Sequence, residues 1–175
     1  MTTKMAAGTE FPTLDVHDME GEVTDISRAK GECDWRLLVV YRGQHCPLCK
    51  KYLRQLDELA PKFKDIGIDV VAVSGDSPSQ LRAFAKDVDV SFPIYSSLSI
   101  DQMKSLGLYV SHPRHKEETD HPFPEPGLFV ITDEGQVQIA DVSNAPFSRP
   151  DLNSLLGGLQ FIRENDYPIR GTYLD

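Results

Sequence analysis

Cys46 and Cys49, in the run Cys46-Pro47-Leu48-Cys49, are the residues of this chain whose type and spacing best suit chemistry. They follow the apolar run Leu37-Leu38-Val39-Val40-Tyr41 and precede a helical pattern, which places both thiols at a helix N-terminus. The unpaired backbone N–H groups there favour negative charge. A thiol in such a position ionises early, its pKa falling from about 8.5 to roughly 3.5–7.5. Residues three apart on a helix are neighbours, so the second sulfur can attack a mixed disulfide formed at the first. The chemistry is therefore a dithiol–disulfide cycle, and it needs no cofactor.

Arg42 stands four residues before Cys46, where a guanidinium can stabilise a thiolate or the oxygen of a peroxide. His45 adjoins the pair and, if its charge changes near neutral pH, tunes it; a plain exposed imidazole is the alternative. A zinc site competes with the redox reading, because Cys46, Cys49 and His45 could be joined by some of His112, His115 and His121. A lone Cys-x-x-Cys lacks the second ligand pair of such sites, and the three histidines fall among Pro113, Pro122 and Pro124, as in a solvated loop. No metal is expected, and the non-enzymatic alternative is a zinc-stabilised or redox-sensing binding module. Cys33, in Gly31-Glu32-Cys33-Asp34, reads as a free loop thiol whose acidic neighbours disfavour its thiolate.

The elements that must position these groups alternate. Residues 8–27 form an entry segment with a short hairpin or edge strand at Glu22–Ile26, expected as a lid over one end of the sheet. A buried strand at 36–41 leads into a helix with Leu53, Leu56, Leu59, Ala60 and Phe63 at helical spacing, running to Gly67 with a kink expected at Pro61. A second strand, Ile68–Val73, precedes a helix opened by Ser77-Pro78 and carrying Leu81, Phe84, Ala85 and Val88. Phe92–Tyr95 reads as a short strand and Ser99–Leu106 as a short helix stopped at Gly107. Leu128–Thr132 and Val137–Val142 flank a Gly-containing turn and predict an antiparallel hairpin. Asp151–Arg163 is the last helix. A βαβ unit joined to a hairpin and a closing helix predicts an α/β protein with a central mixed β-sheet flanked by helices on both faces and an N-terminal extension. Ser111–Glu125 is long for a connection and is expected near the cysteines, as a substrate gate or as a tolerated insertion.

The 175 residues, 40% hydrophobic, are enough for one domain, 1–175, with its own core and a tail at 166–175. An excess of 27 acidic over 18 basic side chains, a net charge of −9, repels nucleic acids and anionic membranes. Residues 1–10 do not resemble a signal peptide and no later run has the length of a membrane span, so a cytoplasmic protein with no membrane or nucleic-acid partner is expected. Three cysteines with one close pair fit a reducing compartment.

Strand, Cys-x-x-Cys and helix in this order resemble the thioredoxin fold. More closely, Tyr41-Arg42-Gly43-Gln44-His45-Cys46-Pro47-Leu48-Cys49, the Phe11-Pro12 entry and Tyr167-Pro168-Ile169-Arg170-Gly171 resemble peroxiredoxin-like members of the AhpC/TSA family. The resemblance implies a cysteine-based peroxidase or thiol–disulfide oxidoreductase. Its substrate would be a peroxide or a disulfide, its reductant an external thiol of thioredoxin or glutathione type, and its assembly a homodimer. Peroxiredoxins carry Thr or Ser three residues before the peroxide-reacting cysteine; here that alignment puts Cys49 at the reacting position and Cys46 in place of the hydroxyl. The family's Arg, three residues before an aromatic, falls on Pro126 before Phe129. Thioredoxins place a cis-proline there, and by that pattern Cys46 is the exposed nucleophile, Cys49 resolves, and Pro126 keeps the facing backbone open to a substrate chain. The buried acid that thioredoxins carry six residues before the first cysteine is Val40 here. Proton transfer at Cys49 then falls to water or another group. Tyr167, Tyr173 and Leu174 in the tail are suited to cover an apolar patch.

Overall fold

The computed structural model describes residues 4–173. Two short strands, β1 (Asp15–His17) and β2 (Val23–Asp25), pair antiparallel in the entry segment. Next come β3 (Trp35–Val40), α1 (Pro47–Asp65), β4 (Ile68–Val73), α2 (Pro78–Val88), β5 (Ile94–Tyr95) and α3 (Ile100–Ser105). A two-stranded pair, β6 (Val110–Ser111) and β7 (Phe123–Pro124), leads into β8 (Gly127–Ile131), β9 (Val137–Val142) and α4 (Leu152–Asn165). The central sheet runs β5-β4-β3-β8-β9. β3, β4 and β5 are parallel, and β8 and β9 antiparallel, which makes the sheet mixed, as expected.

Strand pleating sends alternate side chains of β3 to opposite faces. Leu37 and Val39 join Leu53, Leu56, Phe63, Leu81, Phe84 and Leu159 on the face covered by α1, α2 and α4. Leu38 and Val40 join Phe11, Leu14, Val16, Ile26, Met103 and Leu106 on the other. Each large apolar side chain so buried contributes about 1.5–3 kcal/mol. The entry segment therefore covers a face of the sheet, not one end of it, because its apolar residues are those that complete the second layer.

Helix starts follow local chemistry. Ser77 and Ser99 each form a capping box, with Gln80 and Gln102, and the Asp151 carboxylate accepts the Ser154 N–H at 2.9 Å. α1 begins with Pro47 after Cys46 and continues through Pro61 to Asp65 as one helix. In the tail, Tyr167 packs against Phe161 at 5.6 Å between rings and accepts a hydrogen bond from Arg170 at 2.6 Å, whereas Tyr173, expected to cover an apolar patch, is 88% exposed. Leu174 and Asp175 fall outside the described residues.

Register brings three chain turns to one edge of the sheet. Val40 at the end of β3 is flanked by Val73 at the end of β4 and by Gly127 at the start of β8. The Cys46 turn, the Ser74–Ser77 turn and Glu125-Pro126 therefore meet there.

Candidate active site

Cys46 is the N-cap of α1, and its sulfur accepts the Cys49 N–H at 3.2 Å. Capping folds the sulfur inward over the first turn, and Cys46 is only 2% exposed while Cys49 is wholly buried. Cys46 is thus not the exposed thiol expected from the thioredoxin pattern. Both are free thiols, with adjoining sulfurs. The two titrate in opposite directions. A hydrogen bond from the Cys49 thiol, with the Cys49 N–H, Arg149 and Arg42, outweighs burial and brings Cys46 down to about 6. Burial, and the bond it donates to Cys46, push Cys49 far above the ordinary thiol range.

Two arginines serve the pair. Arg149 Nη2 donates to Cys49 Sγ at 3.3 Å, while its Nε donates to the Pro146 carbonyl at 2.8 Å and its guanidinium lies 4.4 Å from the centre of the Tyr52 ring. Arg42 Nη2 donates to Glu125 Oε2 at 3.2 Å, and Nε stands 3.0 Å from Oε1, off the direction of a hydrogen bond. Burial works against the Arg42 charge, but Glu125 and Cys46 together outweigh it, so its pKa lies above the usual value. Glu125 is 3% exposed and also accepts the Ser111 hydroxyl at 2.7 Å.

Pro126 is buried at this edge, but no cis peptide bond occurs among the described residues, and the expected cis-proline is trans. The Glu125 N–H donates to the Tyr109 carbonyl at 2.8 Å, and the Pro126 carbonyl accepts the Ser143 N–H at 2.9 Å. These bonds prolong the ladders of β6 with β7 and of β8 with β9, so the Glu125 N–H and the Pro126 carbonyl are used internally.

His45 is not a plain surface imidazole. Its ring meets Phe123 edge-on at 4.5 Å, both nitrogens lack partners, and burial lowers its pKa. The 111–125 segment does reach the site, through Ser111, Phe123 and Glu125. His112 and His115 are exposed in that segment, and among the described residues no three His, Cys, Asp or Glu side chains converge in a geometry able to hold a metal ion. Cys33 lies before β3, at the other end of the strand.

The sequence reading passed over Arg149, Glu125 as the partner of Arg42, and Asp76. Arg149 is 100 residues from Cys49 and stands only as a polar residue before the Pro150-Asp151 helix start. Asp76 sits beside Ser77-Pro78 and looks like part of a helix cap. No local pattern marks either.

A buried dithiol at a helix N-terminus, one thiol acidified, on a doubly covered thioredoxin-type sheet, defines a cysteine-based, thiol-dependent oxidoreductase. The AhpC/TSA family model matches residues 7–140, and the chain belongs to that family. Its relatives include the thiol-disulfide oxidoreductase ResA of Bacillus thuringiensis subsp. konkukian, 27% identical over 135 residues that cover 77% of this chain and 68% of ResA. The chloroplastic peroxiredoxin Q of Populus jackii is 31% identical over 93 residues, 53% of this chain and 43% of that protein. In fold, the chain is similar to a peroxiredoxin-like protein from Aquifex aeolicus, with a TM-score of 0.74 at 14% identity over 91% of this chain and 89% of that one.

Proposed function

We propose that this protein reduces small peroxides with Cys46 as nucleophile and Cys49 as resolving thiol. The observation that carries the proposal is the Cys46 sulfur capping α1, acidified to about 6, with the Cys49 sulfur adjoining it. The Cys46 thiolate attacks one peroxide oxygen, the O–O bond breaks, and the departing oxygen takes a proton as water or an alcohol. Cys46 is left as a sulfenic acid. The Cys49 sulfur then attacks Cys46, expelling water and forming the disulfide. An external thiol of thioredoxin or glutathione type returns both cysteines to thiols. Arg42 and Arg149 stabilise the thiolate and the charge that develops on the leaving oxygen. Pro126 shapes the wall of the site by holding its carbonyl on Ser143.

The burial of both sulfurs and the internal use of the Glu125-Pro126 backbone favour a small oxidant over a protein disulfide laid along the site. Disulfide exchange through the same Cys46 thiolate is the second reading, favoured by the resemblance to ResA over three quarters of this chain. Cysteine usage fits a reducing, cytoplasmic setting, and no helix among the described residues is long and apolar enough to cross a membrane. A homodimer is part of the proposal by family resemblance alone.

Stopped-flow oxidation of the reduced protein by hydrogen peroxide and by a model disulfide tests this, with Cys46→Ser and Cys49→Ser compared. The first oxidation step should vanish in Cys46→Ser and persist, as a stable sulfenic acid, in Cys49→Ser. Loss of the first step in Cys49→Ser alone would reverse the roles, and a faster reaction with the disulfide would favour the second reading.

A further inference from the structure

Beneath the turn that carries the cysteines lies Asp76, a carboxylate with no exposed surface. Oδ2 accepts the Gln44 N–H at 2.8 Å. Gly43, at φ +142°, rests so close that a Cβ there would stand 2.7 Å from Oδ1, a contact that the absence of a side chain avoids. The turn closes with the Cys46 N–H on the Gly43 carbonyl at 3.2 Å. The carboxylate is therefore the floor on which residues 43 to 46 are laid.

Its other oxygen faces a histidine from the loop between β6 and β7. His121 Nε2 stands 3.4 Å from Asp76 Oδ1, off the direction of a hydrogen bond, and neither atom has another partner in the protein. His121 Nδ1 lies 2.7 Å from Asp120 Oδ1, which also accepts the Gln80 side-chain amide at 3.1 Å. An imidazole between two carboxylates offers N–H groups to both only as the imidazolium. Two residues on, Phe123 carries His45 at 4.5 Å and the Arg42 guanidinium at 4.9 Å from its ring centre. One histidine thus ties the floor of the catalytic turn to the wall that holds Arg42.

We infer that Asp76 and His121 are positioning residues of the catalytic turn, with protonated His121 pinning the Asp76 carboxylate that holds the Gln44 N–H, and through it Cys46, in reactive geometry. The inference rests on the proposed nucleophilic role of Cys46. When His121 loses its proton, a buried carboxylate is left with a backbone contact and no counter-charge on its other oxygen, a costly state that it relieves by moving. That movement loosens Gln44. The groups facing His121 are Asp76 below, Asp120 at its outer nitrogen, His45 with Arg42 and Glu118 behind it, and His17 across a 390 Å³ hollow. Asp76 first, then Asp120, holds the His121 proton above the usual histidine range against the opposing effect of burial. The clamp is therefore intact at low pH and released as pH rises through the raised histidine pKa.

The test is the rate of Cys46 alkylation by iodoacetamide from about pH 5 to about pH 9, spanning the ordinary histidine and thiol values. The wild type and His121→Gln are compared, with NMR titration of the His121 ring in the wild type and in Asp76→Asn. The wild-type profile should show a second inflection beyond that of the thiol, absent in His121→Gln, whose rate at low pH should be about tenfold lower, less than the ~10²-fold that a 1 Å misplacement can cost. The His121 titration should move down in Asp76→Asn. Superimposable alkylation profiles, or a His121 pKa in the wild type at or below the ordinary histidine value, would overturn the inference; the second readout needs no variant to fold. Peroxide turnover retained in Cys46→Ser would overturn the nucleophile assignment while leaving the His121 titration as stated, so the two failures are distinguishable.

Discussion

Cys33 and Cys46 stand at opposite ends of β3, and the same side chain meets opposite physics. At the far end, burial and the carboxylates of Asp69, Asp34 and Glu32 raise the Cys33 pKa, with Lys64 opposing. At the near end, a helix N-terminus, a neighbouring thiol and two arginines bring Cys46 down to about 6, although Cys46 is the more deeply buried of the two. Exposure does not make a thiol reactive; donors aimed at its sulfur do.

The comparison breaks most visibly by deletion. Cys46→Ser should lower peroxide turnover by on the order of 10³-fold or more, as loss of a nucleophile does. Next comes pH: alkylation followed by mass spectrometry should give half-maximal Cys46 reactivity near pH 6, while Cys33 reacts only above the ordinary thiol range. The same difference reaches stability. Between pH 6 and about 8.5 the unfolded chain keeps the Cys46 proton that the folded chain has lost, so stability of the reduced His121→Gln protein, which lacks the opposing contribution of the raised His121 pKa, should rise with pH. Above about 8.5 the unfolded chain also loses the Cys49 proton, which the folded chain retains, and the trend should reverse. Urea unfolding across that range reads both slopes.

Smaller effects sharpen the contrast. Arg149→Met removes the donor to Cys49 and one of the charges acting on Cys46, and should raise the Cys46 midpoint and slow the first oxidation step about tenfold, below the 10²–10³ of a full oxyanion donor. Arg42→Met should slow it less, because that charge is already shared with Glu125, but should cost about 3 kcal/mol in unfolding experiments by stranding a buried carboxylate. Cys33→Ser should leave turnover unchanged within error and stability within about 0.5 kcal/mol. A turnover defect in that variant would erase the distinction between the two ends of β3.

The parts of the fold legible in the chain are those written in neighbouring residues. The buried strand at 36–41, the apolar stripe of α1, the Ser-Pro and Ser-Ile helix starts and the Gly135 hairpin all follow from apolar runs, periodicity and capping, which act over a few residues. The entry segment was legible as structure but not as the cover of a face, since that depends on which layer Phe11 and Ile26 meet. Pro126 misled for a related reason. A proline before an apolar strand carries no mark of its own isomer, and here hydrogen bonds from Ser143 and to Tyr109 hold the segment in continuous trans ladders.

By itself the sequence determined that two thiols would sit one helical turn apart at the mouth of a helix, next to an arginine, on a mixed sheet. That combination implies redox chemistry of the AhpC/TSA kind. Only the tertiary structure decided which thiol ionises, because packing folds the Cys46 sulfur inward onto the Cys49 thiol and N–H, buries Cys49, and brings the charge of Arg149 from 100 residues away. Helix and strand signals are short-range and additive along the chain, whereas the potential at a buried sulfur sums over whatever the fold packs around it.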